Sequence, residues 1–598
     1  MEEHITIQRK GEGQDFYTQL QEKALAKIQE LAGELWTDYN EHDPGVTVLD
    51  ILNYALWETD YRLGFDLQDY LTAEGQGFSP GEHALFPPSE VFPVNPVTTT
   101  DYRKLFIAGI EGLSDIQVVV HRESGIYDFV LDAGPEADMK RKREILKEVY
   151  RLFHAHRNLC ENVGEVSFLT YELLQLHAEI EIDETEDANR MMACLYFEVR
   201  EFLGAGVRFC RVDELLAKGM PIDEILEGPI QQRMVIDEAS MCTGRMVYDV
   251  LSLYQRLKAM PGIHQVISLG FMENGRMLKQ FIHRKSPLQA YAVSPFSGTE
   301  GGVVLKKKGR PAAVEPKVVQ KMITSMRAAT YGTQNQTTDK AILDNCPEGT
   351  YRNIFTHCPV REDLPEIYGA VEQQSFKEYL DLFDGQFISV LSELKSLPFW
   401  MRPDETDLSD KKEAWMDVLD RLYGEDSNPP FLRKYETDEE RRKRRINFLS
   451  CLPEWGRDRN RAFNLQNFSQ ENCSGLEKYI DCLLHLEKYE AEIFVVEHHL
   501  LKSRSKKEAD DSPFRISVIW TAGERWIRDE EFRHNCERLA LSRIPAHIHA
   551  NFYWLEQEKV ADFRTDFRLW KYAFSTSRDW KIEILTDKLK KWLVNDFD

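Results

Sequence analysis

The chain has 598 residues, 42% hydrophobic, 29% charged and 11% aromatic. This is the composition of a folded protein too long for one core, and about three to five domains are expected. A formal net charge of −25 argues against general nucleic-acid binding, which needs an electropositive surface.

No apolar run reaches the length of a membrane span, and Met1-Glu2-Glu3-His4 lacks the basic-then-apolar layout of a signal peptide. The ten cysteines show no C-x-x-C pair and no framework spacing. Reduced thiols and no bound metal are therefore expected, in a soluble chain made inside the cell, with no nucleic-acid partner and no direct membrane insertion.

Residues 1–75 read as a helical hairpin. Tyr17, Leu20, Ala24, Ile28, Leu31 and Leu35 recur at helical spacing on one arm, and Val48, Leu52, Ala55, Leu56, Thr59 and Leu63 on the other. Between them, Asp43-Pro44-Gly45-Val46 fits a type II turn, with Pro presetting φ and Gly45 accepting φ > 0. Thr47 then caps the second helix, with Asp50 three residues on as the capping-box acid. The neighbouring Asp38, Asn40, His42 and Asp43 offer oxygen ligands and one imidazole. No further His or carboxylate recurs at a recognised ligand spacing, and turn and cap preferences already account for each residue. The corner reads as architecture.

Asp43-Pro44-Gly45-Val46-Thr47-Val48-Leu49-Asp50, followed by Glu58-Thr59-Asp60-Tyr61-Arg62-Leu63, resembles the "DPG-x-T-L-L-E … Y-R-L" signature. That signature belongs to the baseplate J-like wedge proteins of contractile phage tails and extracellular contractile injection systems. Asp50 stands where the family usually has Glu, a change that keeps a capping acid. The resemblance implies a non-enzymatic structural subunit of a baseplate wedge, without cofactor, that links the central hub and spike to the sheath and helps pass the contraction trigger. It also implies as partners a second wedge protein, hub/spike and sheath-side proteins, and further copies of the chain around a six-fold axis. Such a subunit would be cytoplasmic during assembly and then part of a phage-tail-like particle, with release from the cell as one outcome. A wedge subunit of a type VI secretion baseplate is the nearest alternative.

Beyond the hairpin, 76–97 is a Pro/Gly-rich linker. A first α/β module spans 98–205: a helix capped near Thr98, strands Ile116–Val120 and Tyr127–Leu131, a basic helix, a strand at Leu176–Ile182 and a closing helix. A second, 206–293, repeats the order helix, glycine turn, strand, with Gly262 standing where Gly112 stands in the first. Its Arg208–Leu216 and Asp223–Pro229 resemble the wedge family's "F-…-E-L-L-…-G-P" segment more loosely. Helix-rich residues 294–490 follow, then a C-terminal α/β module, 491–598. The expected fold class is α+β and multidomain.

Three surfaces stand out as candidate interfaces, the first being the N-terminal hairpin. Glu440-Arg441-Arg442-Lys443-Arg444-Arg445 is strongly basic on a probable helix, fit either to meet an acidic neighbour through Arg441, Arg442, Arg444 and Arg445 or simply to be solvated; the second is the commoner fate of charge runs. The aromatic C-terminus offers Trp554, Trp570 and Trp580, residue types that anchor interfaces.

No phosphate loop, dinucleotide fingerprint, G-x-S-x-G or H-E-x-x-H is present. The remaining enzyme reading is a metal site on His547 and His549, which would share one face of an expected strand 546–555. His498 and His499, adjacent in an expected strand 493–501, would point to opposite faces.

Overall fold

The computed structural model describes residues 16–75, 77–204, 207–230, 235–236, 238, 241, 246–293, 302–330, 348–369, 374–404, 409–469, 471–501, 513–576 and 579–595. The protein is α+β and multidomain, with several small sheets. It divides into two compact units, each assembled from two stretches of chain: 1–85 with 346–426, and 86–345 with 427–598. The helix-rich stretch 294–490 therefore does not stay together, because 346–426 joins the N-terminal hairpin and 427–490 joins the C-terminal sheet.

In the first unit, the helix Phe16–Ala32 lies against Pro44–Leu63, tied by Tyr17 Oη to the Asp50 carbonyl (3.3 Å) and by Gln21 Nε2 to Asp50 Oδ1 (2.7 Å). The inward stripe of the second helix, Val48, Ile51, Leu52 and Ala55, packs on Val360, Leu380 and Phe387. Leu380 and Phe387 come from the long helix Gln374–Trp400. The stretch after Cys346 is pinned to the hairpin by Asp69, which accepts from Thr350 N (2.8 Å) and Arg352 Nε (3.1 Å), while Arg62 donates to the carbonyls of Ile354 and Thr356.

Among the described residues, the second unit packs helices on three larger sheets and has two further two-stranded ones. In the first sheet, Asp115–His121 runs antiparallel to Ile126–Asp132, which pairs in parallel with Asn162–Phe168. Thr99–Gly109, opened by a full capping box between Thr98 and Asp101, and Met139–His156 cover it around Phe106, Phe129 and Phe153. The second is a mixed six-stranded sheet built on the long strand Thr170–Ile182, flanked by Ile263–Glu273 antiparallel and by Gln289–Val293 and Val303–Lys307 in parallel. Alternate residues Leu174, Leu176, Ala178, Ile180 and Ile182 face its helices Ala188–Gly204, Val250–Lys258 and Pro316–Thr330. Both repeated glycines, Gly112 (φ +75) and Gly262 (φ +85), sit in the left-handed region that the turn from helix to strand requires.

The third sheet sets Glu492–Glu497 antiparallel to Arg515–Thr521 and Arg515–Thr521 parallel to His549–Leu555. Trp570, Phe563 and Phe567 of the helix Gln557–Ser575 close over it. The first strand ends at Glu497, and His498–Leu501 is a 3-10 turn, so the expected strand 493–501 is shorter than its apolar run.

Candidate functional site

The corner at Asp43 is built differently from the type II turn that Pro-Gly suggests. Asp43 itself is the N-cap: its Oδ1 accepts from Gly45 N (2.8 Å), Val46 N (3.1 Å) and the Trp36 indole Nε1 (3.1 Å). Pro44 occupies the first helical turn, where its missing N–H costs nothing. Thr47 is already helical and returns its hydroxyl to the Asp43 carbonyl (3.1 Å), and Asp50 accepts from Gln21 on the other arm instead of closing a box with Thr47. Gly45 is not among the residues of positive φ. It is needed for a different reason: a Cβ there would lie 2.3 Å from Trp36 Cζ2. His42 is exposed, 3.7 Å from Asp38, and the cluster has the geometry of a cap and not of a ligand cage.

The basic segment lies in the helix Asp438–Ser450, opened by a capping box between Thr437 and Glu440. Arg444 and Arg445 are buried, which corrects their reading as surface cations. Arg444 pairs with Glu436 (2.8 Å) and donates to the carbonyls of Ser427 and Leu483; Arg445 donates to Ser427 Oγ. Arg441 and Arg442 are half-buried, with Arg441 paired to Asp438. Trp570 is likewise interior, its indole donating to Thr586 Oγ1 (3.1 Å). Trp554 is half-buried, stacked on Trp520 and donating to Glu537. The side chain of Trp580 lies outside the described residues.

His547 precedes the last strand, which begins at His549, and its ring rests edge-on against Phe514. The two histidines therefore do not share a strand face. Among the described residues, one group has metal-ligand types close together: Cys160, Glu497 and His499. It sits in a buried polar seam that sequence spacing could not reveal, because Cys160 lies 337 residues before Glu497. Arg157, fully buried, grips both Glu497 oxygens (2.6 and 2.8 Å), stacks over Phe463 and donates to the Phe463 and Glu161 carbonyls. Cys160 N also donates to Glu497 (2.7 Å).

Burial would raise the Glu497 carboxyl, yet Arg157, His499 and the Cys160 amide hold it below its ordinary value. Burial raises the neighbouring Glu161 despite donations from Tyr102, Tyr127 and Asn158. Burial also pushes the Cys160 thiol up, away from the thiolate a metal needs. With a guanidinium already in place, the seam is a structural clamp joining 157–161 to 457–463 and 497, continued by the backbone bonds Leu159 N to Asn460 O and Ala462 N to Arg157 O.

The first unit carries a different kind of surface. Tyr54, Trp57, Tyr61 and Phe65 form a chain of ring contacts along the helix Pro44–Leu63 and past its end. Tyr54, Leu56, Tyr61 and Leu63 are exposed, as are Leu31 (73%) and Leu35 (93%). Tyr379, Leu382, Ile388 and Phe399 are exposed along Gln374–Trp400. Exposed apolar side chains grouped in this way are candidates for a contact surface.

No family model matches the chain, and no curated protein matches it in sequence. Among solved structures, it is similar to a chain in the cryo-EM structure of the anti-feeding prophage (AFP) baseplate, 6-fold symmetrised. The TM-score is 0.54 at 18% identity, covering 79% of this chain and 95% of that one. At that identity the likeness is one of fold. No helix among the described residues is long and apolar enough to cross a membrane.

Proposed function

We propose that this chain is a structural component of the baseplate of a contractile, phage-tail-like injection system, and within it a wedge subunit. The observation that carries the reading is the fold likeness to a chain of the AFP baseplate, which extends over 95% of that chain. The Asp43-Pro44-Gly45 corner, with its resemblance to the J-like wedge signature, supports the finer role. So do the uncovered apolar faces of the first unit, which a free-standing protein would leave in water.

On this reading the work is mechanical. The chain contacts a second, dissimilar wedge protein, hub/spike and sheath-side proteins, and further copies of itself, and it performs no bond chemistry. Interfaces of this kind bury on the order of 1,000 Å² or more each. Deleting the gene in its host and imaging the particles by negative-stain microscopy tests the proposal. Loss of sheathed particles or of their baseplates is expected, and normal contractile particles without the protein contradict it. Pull-down of the tagged chain from that host tests the wedge role: recovery of only sheath or tube proteins, with no second baseplate subunit, counts against it.

A further inference from the structure

The helix Asp438–Ser450 and the helix Gly475–Leu484 pack closely at several points along their length. Arg444 Nη1 donates to the Leu483 carbonyl (3.0 Å), and the Phe448 ring meets Tyr479 edge-on at 5.4 Å. One turn further, Asn447 Nδ2 reaches Cys482 Sγ (3.5 Å). Four residues beyond Asn447, on the same helical face, Cys451 ends the first helix and begins the short helix Leu452–Arg457. The Cys451 and Cys482 side chains interact across the helix interface, as their shared neighbourhood with Asn447 implies. Ser450 Oγ lies 3.7 Å from Cys451 Sγ. Both thiols are partly exposed, in contrast to the buried Cys160 and Cys536.

We propose that Cys451 and Cys482 form a redox-sensitive pair that closes a disulfide between these two helices when the chain meets a low-molecular-weight disulfide. The proposal stands whether or not the chain is a baseplate component.

The two thiols are unequal in a way that assigns their roles. The hydrogen bond from Cys482 holds the Cys451 thiol below its ordinary range against the opposing effect of burial, with Ser450 and Lys478 acting in the same direction. The same bond, followed by burial, raises Cys482. Cys451 thiolate is therefore the attacking sulfur. It bonds to one sulfur of the oxidant, the oxidant's S–S bond breaks, and the first small thiolate leaves and takes up a proton. Cys482 then loses its proton and attacks Cys451 Sγ; the protein disulfide forms and the second small thiol departs. Two protein thiols are oxidised and one small disulfide is reduced to two thiols. The cross-link fixes the helix junction at Cys451 to the helix that leads into the third sheet, where the hydrogen bonds of Arg444 already hold it.

The full chain, purified under reductant and transferred to oxidised glutathione, tests this by thiol titration and non-reducing peptide mass spectrometry. The titratable thiols should fall by two, with a dithiothreitol-reversible Cys451–Cys482 peptide. Cys482→Ser should instead retain a glutathione adduct on Cys451, and Cys451→Ser should yield neither product at a comparable rate. Circular dichroism of each variant reports whether it is folded. An unchanged thiol count in the folded wild-type chain, a cross-link between other cysteines, or equal glutathione adducts on both sulfurs would overturn the proposal.

Discussion

The two units use apolar helical periodicity to different ends. In the second unit, the stripes of Thr99–Gly109, Met139–His156 and Ala188–Gly204 end in closed cores, and Phe106, Phe129, Phe153, Trp520 and Trp570 are wholly interior. In the first, the helix Phe16–Ala32 has no buried residue, and the aromatic chain along Pro44–Leu63 remains in solvent on its outer side. The second unit closes larger cores and holds the buried Arg157–Glu497 clamp, although Leu173, Leu251, Phe281, Leu541 and Ile584 are exposed on it too. In the first, Leu31, Tyr61, Leu382 and Phe399 are exposed along its helices, a surface able to complete its burial against neighbours.

The sharpest break in that contrast should come from the clamp. Glu497→Gln leaves the buried Arg157 guanidinium without its counter-charge and should cost about 3–5 kcal/mol in the second unit. A doubly apolar variant, Arg157→Met with Glu497→Leu, should recover part of it. Urea unfolding followed by tryptophan fluorescence measures both, and an unchanged midpoint for Glu497→Gln would remove the clamp from the account.

Acid should weaken the second unit through its buried histidines. His154 is pushed down to about 4 by burial and then by Arg157, and His498 to about 4 by burial and then by Arg515 and His549. Unfolded, each takes up a proton near its ordinary value of about 6.5. Their folded pKa values are depressed, so stability held above about 6.5 is lost as pH falls towards 4. Glu497, also depressed, adds a loss as pH falls below the ordinary carboxylate range. The melting temperature of the second unit should fall by several degrees between pH 7.5 and 5, and a flat profile contradicts this.

A smaller effect is expected at the corner. Gly45→Ala drives a methyl group into Trp36 and should cost the first unit about 1–3 kcal/mol. The same substitution in a Trp36→Ala background should cost clearly less, and equal costs would mean that the ring is not the obstacle. Least of all should the exposed faces matter to the isolated chain: Tyr61→Ser should change stability by no more than about 0.5 kcal/mol. Its incorporation into particles should nevertheless fall, and normal incorporation would detach that face from assembly.

Local chemistry made much of this fold legible. Alternation in Leu176–Ile182 and the cap at Thr98 point to elements that exist, and the repeated helix, glycine turn and strand reflect two true left-handed glycines. What escaped was set at long range. The strands Gln289–Val293 and Val303–Lys307 exist as parallel partners of Thr170–Ile182, more than a hundred residues away. Arg444 and Arg445 read as exposed charge because Glu436, Ser427 and the Leu483 carbonyl come together only on folding. Pro-Gly suggested a turn at Gly45 because nothing local announces the Trp36 ring. The corner's resemblance was carried by consecutive residues, whereas the seam at Arg157, Cys160 and Glu497 has no consecutive signature at all.

The most direct measurement is a cryo-EM reconstruction of contractile particles purified from the host, with the protein content checked by mass spectrometry. The account predicts density for both units of this chain at the baseplate end of the sheath, in several copies around the particle axis, with Tyr54, Tyr61 and Leu63 covered by neighbouring subunits. Intact contractile particles in which this chain is missing from both the density and the protein content would contradict it.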